Sequence, residues 1–154
     1  MVEFKPVVFR LGNEEYGVDI NIVRGIENLL PIVPMHNINE NIKGIINLRG
    51  SVIPVYSLRK KFGMAEATYT EDAKFIIAKA GEDMRIALEV DMVEDIQNIA
   101  DENIHPIPRI ITTSKTEYYD KIININGRMI VMLDVSKLLD EDEKEKLQKA
   151  IEKI

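Results

Sequence analysis

The chain has 154 residues, a mass of 17.6 kDa and a net charge of −6, from 20 Lys and Arg against 26 Asp and Glu. This length fits one domain or two small units with a shared core, and the acidic balance argues against nucleic acid as a partner because phosphate binding needs clustered cations. The absence of cysteine and the presence of only two histidines argue against a zinc site, a disulfide framework and a cysteine nucleophile.

The first half of the chain predicts two hairpins. Apolar residues alternate over 7–11, a turn follows at Gly12 to Glu15, and a second alternating strand runs from 16 through 26. The segment 44–56 reads as a hairpin that turns at Arg49-Gly50, and the small and polar residues of 64–73 predict a loop.

The second half predicts the same kinds of elements. Strand patterns cover 74–79 and 84–99 with a turn near Gly81, and a hairpin over 118–133 turns at Asn126-Gly127, a strong two-residue turn pair. The 24 Ile residues favour strands throughout, because β-branched side chains fit a pleated surface.

Two blocks of the first half recur in the second half. The Ile-Ile-Asn-x-x-Gly core of 45–50 matches 122–127 at an offset of 77, and the apolar positions of 18–26 match those of 88–96 at an offset of 70. The change of offset predicts a longer connection in the second unit, around 102–115. We therefore expect two similar β units.

The C-terminal segment 140–154 predicts a helix. Asp140 is the expected N-cap with Glu143 three residues later, and Leu147, Ile151 and Ile154 lie on one apolar face. This helix is expected to pack over the β units.

Motifs of catalysis are sparse. The sequence has no phosphate-binding loop, and His36 and His105 lack a ligand partner at helical spacing. Neighbouring acids such as Glu14 and Glu15 alternate sides on a strand, so they do not form a matched pair. We therefore interpret the chain as a binding module that is not an enzyme, with no metal site and no cofactor.

The segment 47–62, NLRGSVIPVYSLRKKF, resembles the hallmark of the CheW family of bacterial chemotaxis coupling proteins. The opening hairpin LGNEEYGVDI of 11–20, Lys43-Gly44 and the pair Pro106 and Pro108 are also similar to the family. The resemblance extends from about residue 6 to 139. It implies an all-β fold with a C-terminal helix, in which two five-stranded barrels of the SH3 type are intertwined.

On that resemblance, 1–154 is one CheW-like domain with a first barrel at about 16–70, a second at about 75–135, strand exchange near the N-terminus and a terminal helix over 140–154. The implied function is a scaffold for chemotaxis signal transduction that links the cytoplasmic tips of methyl-accepting chemotaxis receptors to the regulatory domain of the histidine kinase CheA. The absence of a signal sequence and of an apolar run near the ~18 residues of a membrane span predicts a cytoplasmic protein that reaches receptor arrays by association, without membrane insertion.

The resemblance also implies two contact sites. The receptor-binding groove would include the following residues: Val23, Gly44, Arg49, Val90, Val93 and Ile96. The contact with the kinase and its array would use His105, Ile107 and Ile110. The family usually has Glu two residues after Val23, where this chain has Gly25, so Arg49 is expected either to pair with Glu27 or Glu94 or to face the receptor unpaired.

Two other classes of function stay open at this point. One is a β module outside chemotaxis that binds a peptide or a small molecule, although aromatic residues make up only 6% of the chain and Trp is absent. The other is an enzyme with a carboxylate site, which would need converging acids in a pocket.

Overall fold

A computed structural model describes residues 4–66, 69–96 and 98–154. The described part is mostly β, with short 3-10 turns and two helices. The strands, in chain order, are β1 Pro6–Leu11, β2 Glu14–Asp19, β3 Val23–Asn28, β4 Val33–Pro34, β5 Ile42–Leu48, β6 Ser51–Ser57, β7 Lys74–Gly81, β8 Met84–Val90, β9 Met92–Ile96, β10 Ile104–Pro106, β11 Tyr119–Ile125 and β12 Arg128–Leu133. The helices are α1 Leu58–Lys61 and α2 Glu141–Glu152.

The strands form two six-stranded sheets with equivalent orders. The first sheet is β3-β7-β8-β6-β5-β4, and the second is β9-β1-β2-β12-β11-β10. Each position in one order holds the repeat counterpart of the strand in the other, which confirms the two similar β units. Each sheet has one strand more than the expected five, because the short strands β4 and β10 pair along its edge.

The two units exchange strands. The N-terminal strands β1 and β2 lie in the second sheet, between β9 and β12, while all strands from 23 to 90 belong to the first sheet. The ranges 16–70 and 75–135 therefore each contribute strands to both sheets. Parallel pairing of β12 with β2, and of β6 with β8, joins strands that are distant in sequence.

The two hairpin turns lie where the sequence predicts them. Arg49 and Gly50 have φ values of 49° and 89°, and Asn126 and Gly127 have φ values of 51° and 77°. Two successive residues with positive φ match the right-handed twist of the flanking strands. The two repeats therefore share this backbone geometry.

The long strands expected over 16–26 and 84–99 are each interrupted. Asp19 ends β2, and its side chain accepts a hydrogen bond from the Asn21 amide at 2.9 Å, which caps a 3-10 turn over Ile20–Ile22. At the equivalent place in the other repeat, Asp91 separates β8 from β9. The prediction of continuous strands was wrong because apolar alternation persists through a turn that a side-chain cap stabilises.

Three apolar clusters hold the fold together. A central cluster joins both sheets and includes Phe9, Tyr56 and Leu88, all of which are completely buried. The first sheet has its own cluster around Ile53 and Phe75, and the second sheet has another around Val8, Ile99, Ile123, Ile130 and Met132.

Helix α2 closes one side of the central cluster. Asp140 and Glu143 form the expected capping box, and Leu147 is buried in the cluster with Ile151 packed against it. The Asn39 amide also donates to the Glu143 carboxylate and so ties the loop before β5 to the helix. Neither helix in the described residues has the length and apolar character needed to cross a membrane.

Candidate functional site

Val23 and Val93 occupy equivalent positions at the start of β3 and on β9. Both side chains are half-buried and pack against the central cluster, with Val23 opposite Ala78 and Val93 opposite Phe9. Each valine therefore has one face on the cluster that joins the sheets and leaves part of its surface exposed. This placement allows an apolar contact with a partner at the junction of the two units.

Two other members of the predicted groove are buried. Val90 is 1% exposed and belongs to the central cluster. Gly44 lies on β5 where β4 pairs with it, and a Cβ at this position would overlap the Val33 backbone. The structure therefore places these two residues in the packing beneath the surface.

Arg49 pairs with Glu27. Its Nη2 donates to Glu27 Oε1 at 2.7 Å, and 74% of the Arg49 side chain is exposed. The hydrogen bond from Arg49 holds the pKa of the Glu27 carboxyl below its usual value. A Cβ on Gly25 would lie 3.5 Å from Glu27 Oε1, so this carboxylate lies over the glycine, two residues along the same strand.

The other candidate partner, Glu94, is engaged elsewhere. It accepts hydrogen bonds from Arg10 at 2.8 Å and from Arg128 at 3.0 Å. The question that the sequence left open is thereby resolved in favour of Glu27. Ile96 ends β9 opposite Val7, and its side chain lies outside the part of the chain that the structure describes.

The second predicted contact lies at the edge of the second sheet. His105 is exposed on β10 opposite Ile122, and the chain then leaves the sheet at Pro106. Ile107 is half-buried, whereas 92% of Ile110 is exposed in the turn that follows. The segment is an edge strand followed by an exposed loop, as the two prolines predict.

Sequence reasoning missed two ion pairs. Lys43 Nζ lies 3.0 Å from Glu89 Oε1, and the Tyr69 hydroxyl donates to Glu89 Oε2 at 3.1 Å. Burial works to lower the pKa of Lys43, but the hydrogen bonds to Tyr69 and Glu89 outweigh it and raise that pKa. Lys43 and Glu89 are 46 residues apart, and no local pattern links them.

The other pair is Arg59 with Asp91. The Asp91 carboxylate accepts from the Arg59 guanidinium and from the Gly12 amide at 2.7 Å. Burial favours a higher pKa for Asp91, but these hydrogen bonds hold it below the ordinary value. This ion pair joins α1 to the link between β8 and β9.

Five of the aromatic side chains stack on one another: Phe9, Tyr16, Phe62, Tyr118 and Tyr119. Tyr16 and Phe62 have ring centroids 5.2 Å apart, and Phe62 and Tyr118 lie 5.7 Å apart. Only 8% of Tyr16 and 8% of Tyr118 is exposed. These rings therefore contribute to the packing and do not line an open groove for a proline-rich peptide. Among the described residues, no three His, Asp or Glu side chains are arranged to hold a metal ion.

Comparisons with known proteins match this geometry. The family model of the CheW-like domain matches residues 5–143. The chemotaxis protein CheW of Klebsiella aerogenes is 35% identical over 137 residues, which cover 89% of this chain and 82% of that protein. The chemotaxis protein CheW of Rhizobium meliloti is 32% identical over 139 residues, which cover 90% of this chain and 89% of its own.

A solved structure has the same fold. The crystal structure of the scaffolding protein TtCheW from Thermoanaerobacter tengcongensis superposes with a TM-score of 0.81 at 31% sequence identity. The match covers 93% of this chain and 92% of that one. The similarity therefore includes both sheets.

Proposed function

The chain belongs to the CheW-like domain family and has the chemotaxis adaptor role of that family, and we propose that it fulfils this role as a non-catalytic link between chemoreceptor tips and the histidine kinase CheA. One observation carries the proposal. Among the exposed or half-exposed apolar residues, Val23 and Val93 pack against the central cluster that joins the sheets, and Ile110 lies at the edge of the second sheet. An adaptor needs two such surfaces because it must hold two partners at once.

The surface at Val23 and Val93 is proposed to receive the receptor. A receptor tip is a helical hairpin, and a helix docks through a few apolar anchors on a rigid wall. Both valines are fixed by their strands and by the central cluster, so little side-chain freedom is lost on binding. The exposed Arg49 guanidinium, held by Glu27, can supply hydrogen bonds at the same sheet.

The segment 105–111 is proposed to receive the regulatory domain of CheA. Ile110 is an apolar side chain on a protruding turn, and exposed apolar surface of this kind marks an interaction site. The edge strand β10 also leaves one side of its backbone free for a partner. We place the protein in the cytoplasm at receptor arrays, which it would reach through these contacts.

Two single substitutions separate the proposed surfaces. Val23→Asp puts an unpaired charge in an apolar contact and should weaken binding to a receptor tip fragment by roughly 100-fold or more, with CheA binding unchanged. Ile110→Ser should weaken binding to the CheA regulatory domain about 5-fold to 100-fold, with receptor binding unchanged. Both affinities are measured by isothermal titration calorimetry on variants whose circular dichroism matches that of the parent chain.

The pattern of losses decides the assignment. If Val23→Asp lowers both affinities together, or unfolds the chain, Val23 is a core residue and the receptor surface lies elsewhere. If Ile110→Ser lowers the melting temperature but leaves CheA binding intact, the second surface is wrongly placed.

A further inference from the structure

Strand β9, which carries Val93, lies at the edge of the second sheet next to β1. The register places Phe9 opposite Val93 and Val7 opposite Ile96, so β9 has one residue more than β1 over this stretch. Such a β-bulge leaves a residue unpaired and interrupts the ladder of backbone hydrogen bonds. Because the bulge follows Val93 directly, the ladder alone holds this residue firmly on one side only.

Glu94 lies at this bulge, and two arginines hold its carboxylate. Arg10 Nη1 on β1 donates to Glu94 Oε1 at 2.8 Å, and Arg128 Nη2 on β12 donates to Glu94 Oε2 at 3.0 Å. Only 15% of the Glu94 side chain is exposed, and hydrogen bonds between charged groups are among the stronger ones in proteins. Since β2 and β1 lie between β12 and β9 in the sheet, Glu94 ties the edge strand to a distant strand.

The ion pairs of Glu94 lie on the face of the sheet that is opposite Val93. Phe9 and Val93 face the central cluster, whereas Val8 belongs to the separate cluster of the second sheet. Arg10 is two residues from Val8 and therefore shares its face, because side chains alternate along a strand. The arginines thus hold β9 from one face, and Val93 lies on the other.

The equivalent strand β3 is held in a different way. Its register also shifts directly after Val23, but its ladder with β7 then continues as far as Asn28. Arg24 occupies the place of Glu94, and its guanidinium donates to the Asn21 carbonyl at 2.9 Å within the same segment. The ladder therefore fixes β3, whereas side chains of other strands fix β9.

We propose that Glu94 is a positioning residue for receptor docking and that it acts through Val93. With its carboxylate held by Arg10 and Arg128, β9 presents Val93 in one position before the partner arrives. Without this anchor the edge strand would populate other positions, and the apparent affinity would fall in proportion to the population of the competent one. This inference rests on the proposed receptor docking.

Glu94→Gln tests the anchor because it removes the charge that both arginines hold and keeps the size of the side chain. It should lower the affinity for a soluble chemoreceptor tip fragment about threefold to tenfold, the range that corresponds to the loss of one or two hydrogen bonds. Hydrogen exchange of the backbone amides of 92–96 should become faster by a similar factor, because the strand opens more often. Arg10→Met, which leaves Glu94 with Arg128, should change both quantities in the same direction by a smaller factor. Calorimetric titration and exchange mass spectrometry on the full chain provide the two measurements.

The matched control is Glu15→Gln in the same group of charges. Arg128 Nη2 donates to Glu15 Oε1 at 2.5 Å, and 12% of the Glu15 side chain is exposed, so the control removes a charge that is buried to a similar extent. Glu15 lies on β2, which has a neighbouring strand on each side, and Glu94 keeps both arginines. The control should lower the melting temperature about as much as Glu94→Gln does. It should nevertheless leave the receptor affinity and the exchange of 92–96 within about twofold of the parent values.

A second background tests whether Glu94 acts through Val93. Val93→Ala removes most of the apolar contact of this residue, and binding remains measurable because Val23 is intact. Added to Val93→Ala, Glu94→Gln should lower the affinity less than about twofold, although it should still speed up the exchange of 92–96. An equal loss of affinity in both backgrounds would show that Glu94 acts independently of Val93 and would overturn the proposal.

The remaining outcomes separate the role of Glu94 from the docking itself. If Glu94→Gln binds the fragment like the parent chain while Val23→Asp fails, Glu94 takes no part and the receptor docking stands. If Glu94→Gln loses affinity with unchanged exchange, its carboxylate contacts the receptor directly and does not position Val93. If Glu15→Gln loses as much affinity as Glu94→Gln, the loss follows overall stability and the assignment to Glu94 is wrong. If the parent chain does not bind the fragment, the receptor docking fails and the inference fails with it.

Discussion

The edge strands β4 and β10 pair with equivalent parts of β5 and β11, but the residue that lies opposite the proline of each edge strand differs. Pro34 lies opposite Gly44 in the first sheet, and Pro106 lies opposite Lys121 in the second. A Cβ on Gly44 would overlap the Val33 backbone, whereas the second sheet accommodates a full Lys side chain. The backbone plan is therefore shared, but β4 is held closer to its sheet than β10.

Polar residues at equivalent positions of the two sheets have diverged further. Lys43 and Glu89 form an ion pair in the first sheet, and their counterparts in the second sheet are Asp120 and Asp19. Apolar and turn positions fix the common fold, so they are constrained in both repeats. Charged positions are free to differ, and they give each sheet a separate surface.

The substitution with the largest expected effect tests how closely β4 packs against β5. Gly44→Ala should destabilise the protein by about 3 kcal/mol, because the new methyl group forces β4 away from β5. Lys121→Ala should cost less than about 1 kcal/mol, since it removes a contact in which Lys121 Nζ lies 4.5 Å from the centre of the Phe4 ring and a weak ion pair with Asp120 at 3.7 Å. Urea unfolding of both variants measures the difference. Equal losses would show that the two edges are packed alike.

The next largest effect concerns the ion pair of Lys43 and Glu89. Lys43→Met keeps most of the side-chain volume but leaves the Glu89 carboxylate, which is 8% exposed, with the Tyr69 hydroxyl as its remaining hydrogen-bond partner among the described residues. The expected loss is about 2 kcal/mol. The counterpart Asp120→Ala should change stability by less than about 0.5 kcal/mol. A Lys43→Met protein as stable as the parent would mean that the pair forms no net stabilising contact.

A smaller effect should be present at neutral pH and disappear in the acid range. The ion pair of Arg59 and Asp91 has uncharged counterparts, Ser136 and Asn21. Because the pKa of Asp91 is lowered in the fold, its contribution is present above the ordinary value of 3.8 and is lost as pH falls through that value toward the folded pKa. Asp91→Asn should therefore cost about 1 kcal/mol at pH 7 and progressively less below about pH 4. Chemical unfolding from pH 7 to pH 3 provides the measurement, and a constant difference across this range would rule out the pair as its source.

The smallest effect on stability is expected at the hairpin tips. Arg49 is exposed and pairs with Glu27, while its counterpart Asn126 occupies the same backbone conformation. Arg49→Asn should leave the thermal midpoint close to that of the parent, because exposed ion pairs contribute little, but it should reduce receptor-coupled activation of the kinase. A lower midpoint with normal activation would make Arg49 a structural residue.

The sequence predicts the elements better than it predicts their partners. Turn pairs such as Asn126-Gly127 and the capping residues Asp140 and Glu143 act locally, so the hairpins and α2 were found from the sequence. The pairing of β1 with β9 and the parallel pairing of β6 with β8 join segments separated by a long stretch of chain. No periodicity encodes such contacts.

The candidate site shows the same limit. The resemblance to the family predicts Val23 and Val93 as receptor contacts, and the structure leaves both partly exposed. The resemblance alone could not distinguish these two valines from Val90, which is buried, because burial depends on the packing of both sheets. The pairing of Arg49 with Glu27 depends on a carboxylate that lies over Gly25.

The most direct test of the adaptor role is recruitment of the kinase to receptors. Full-length CheA is sedimented with vesicles that carry an intact chemoreceptor, in the absence of the chain, with the parent chain, and with Val23→Asp or Ile110→Ser. The account predicts that CheA sediments only when the parent chain is present and that either substitution reduces the sedimented amount, although each variant keeps one partner. CheA that sediments equally with and without the chain, or with either variant as with the parent, would contradict the claim that the two surfaces join the two partners.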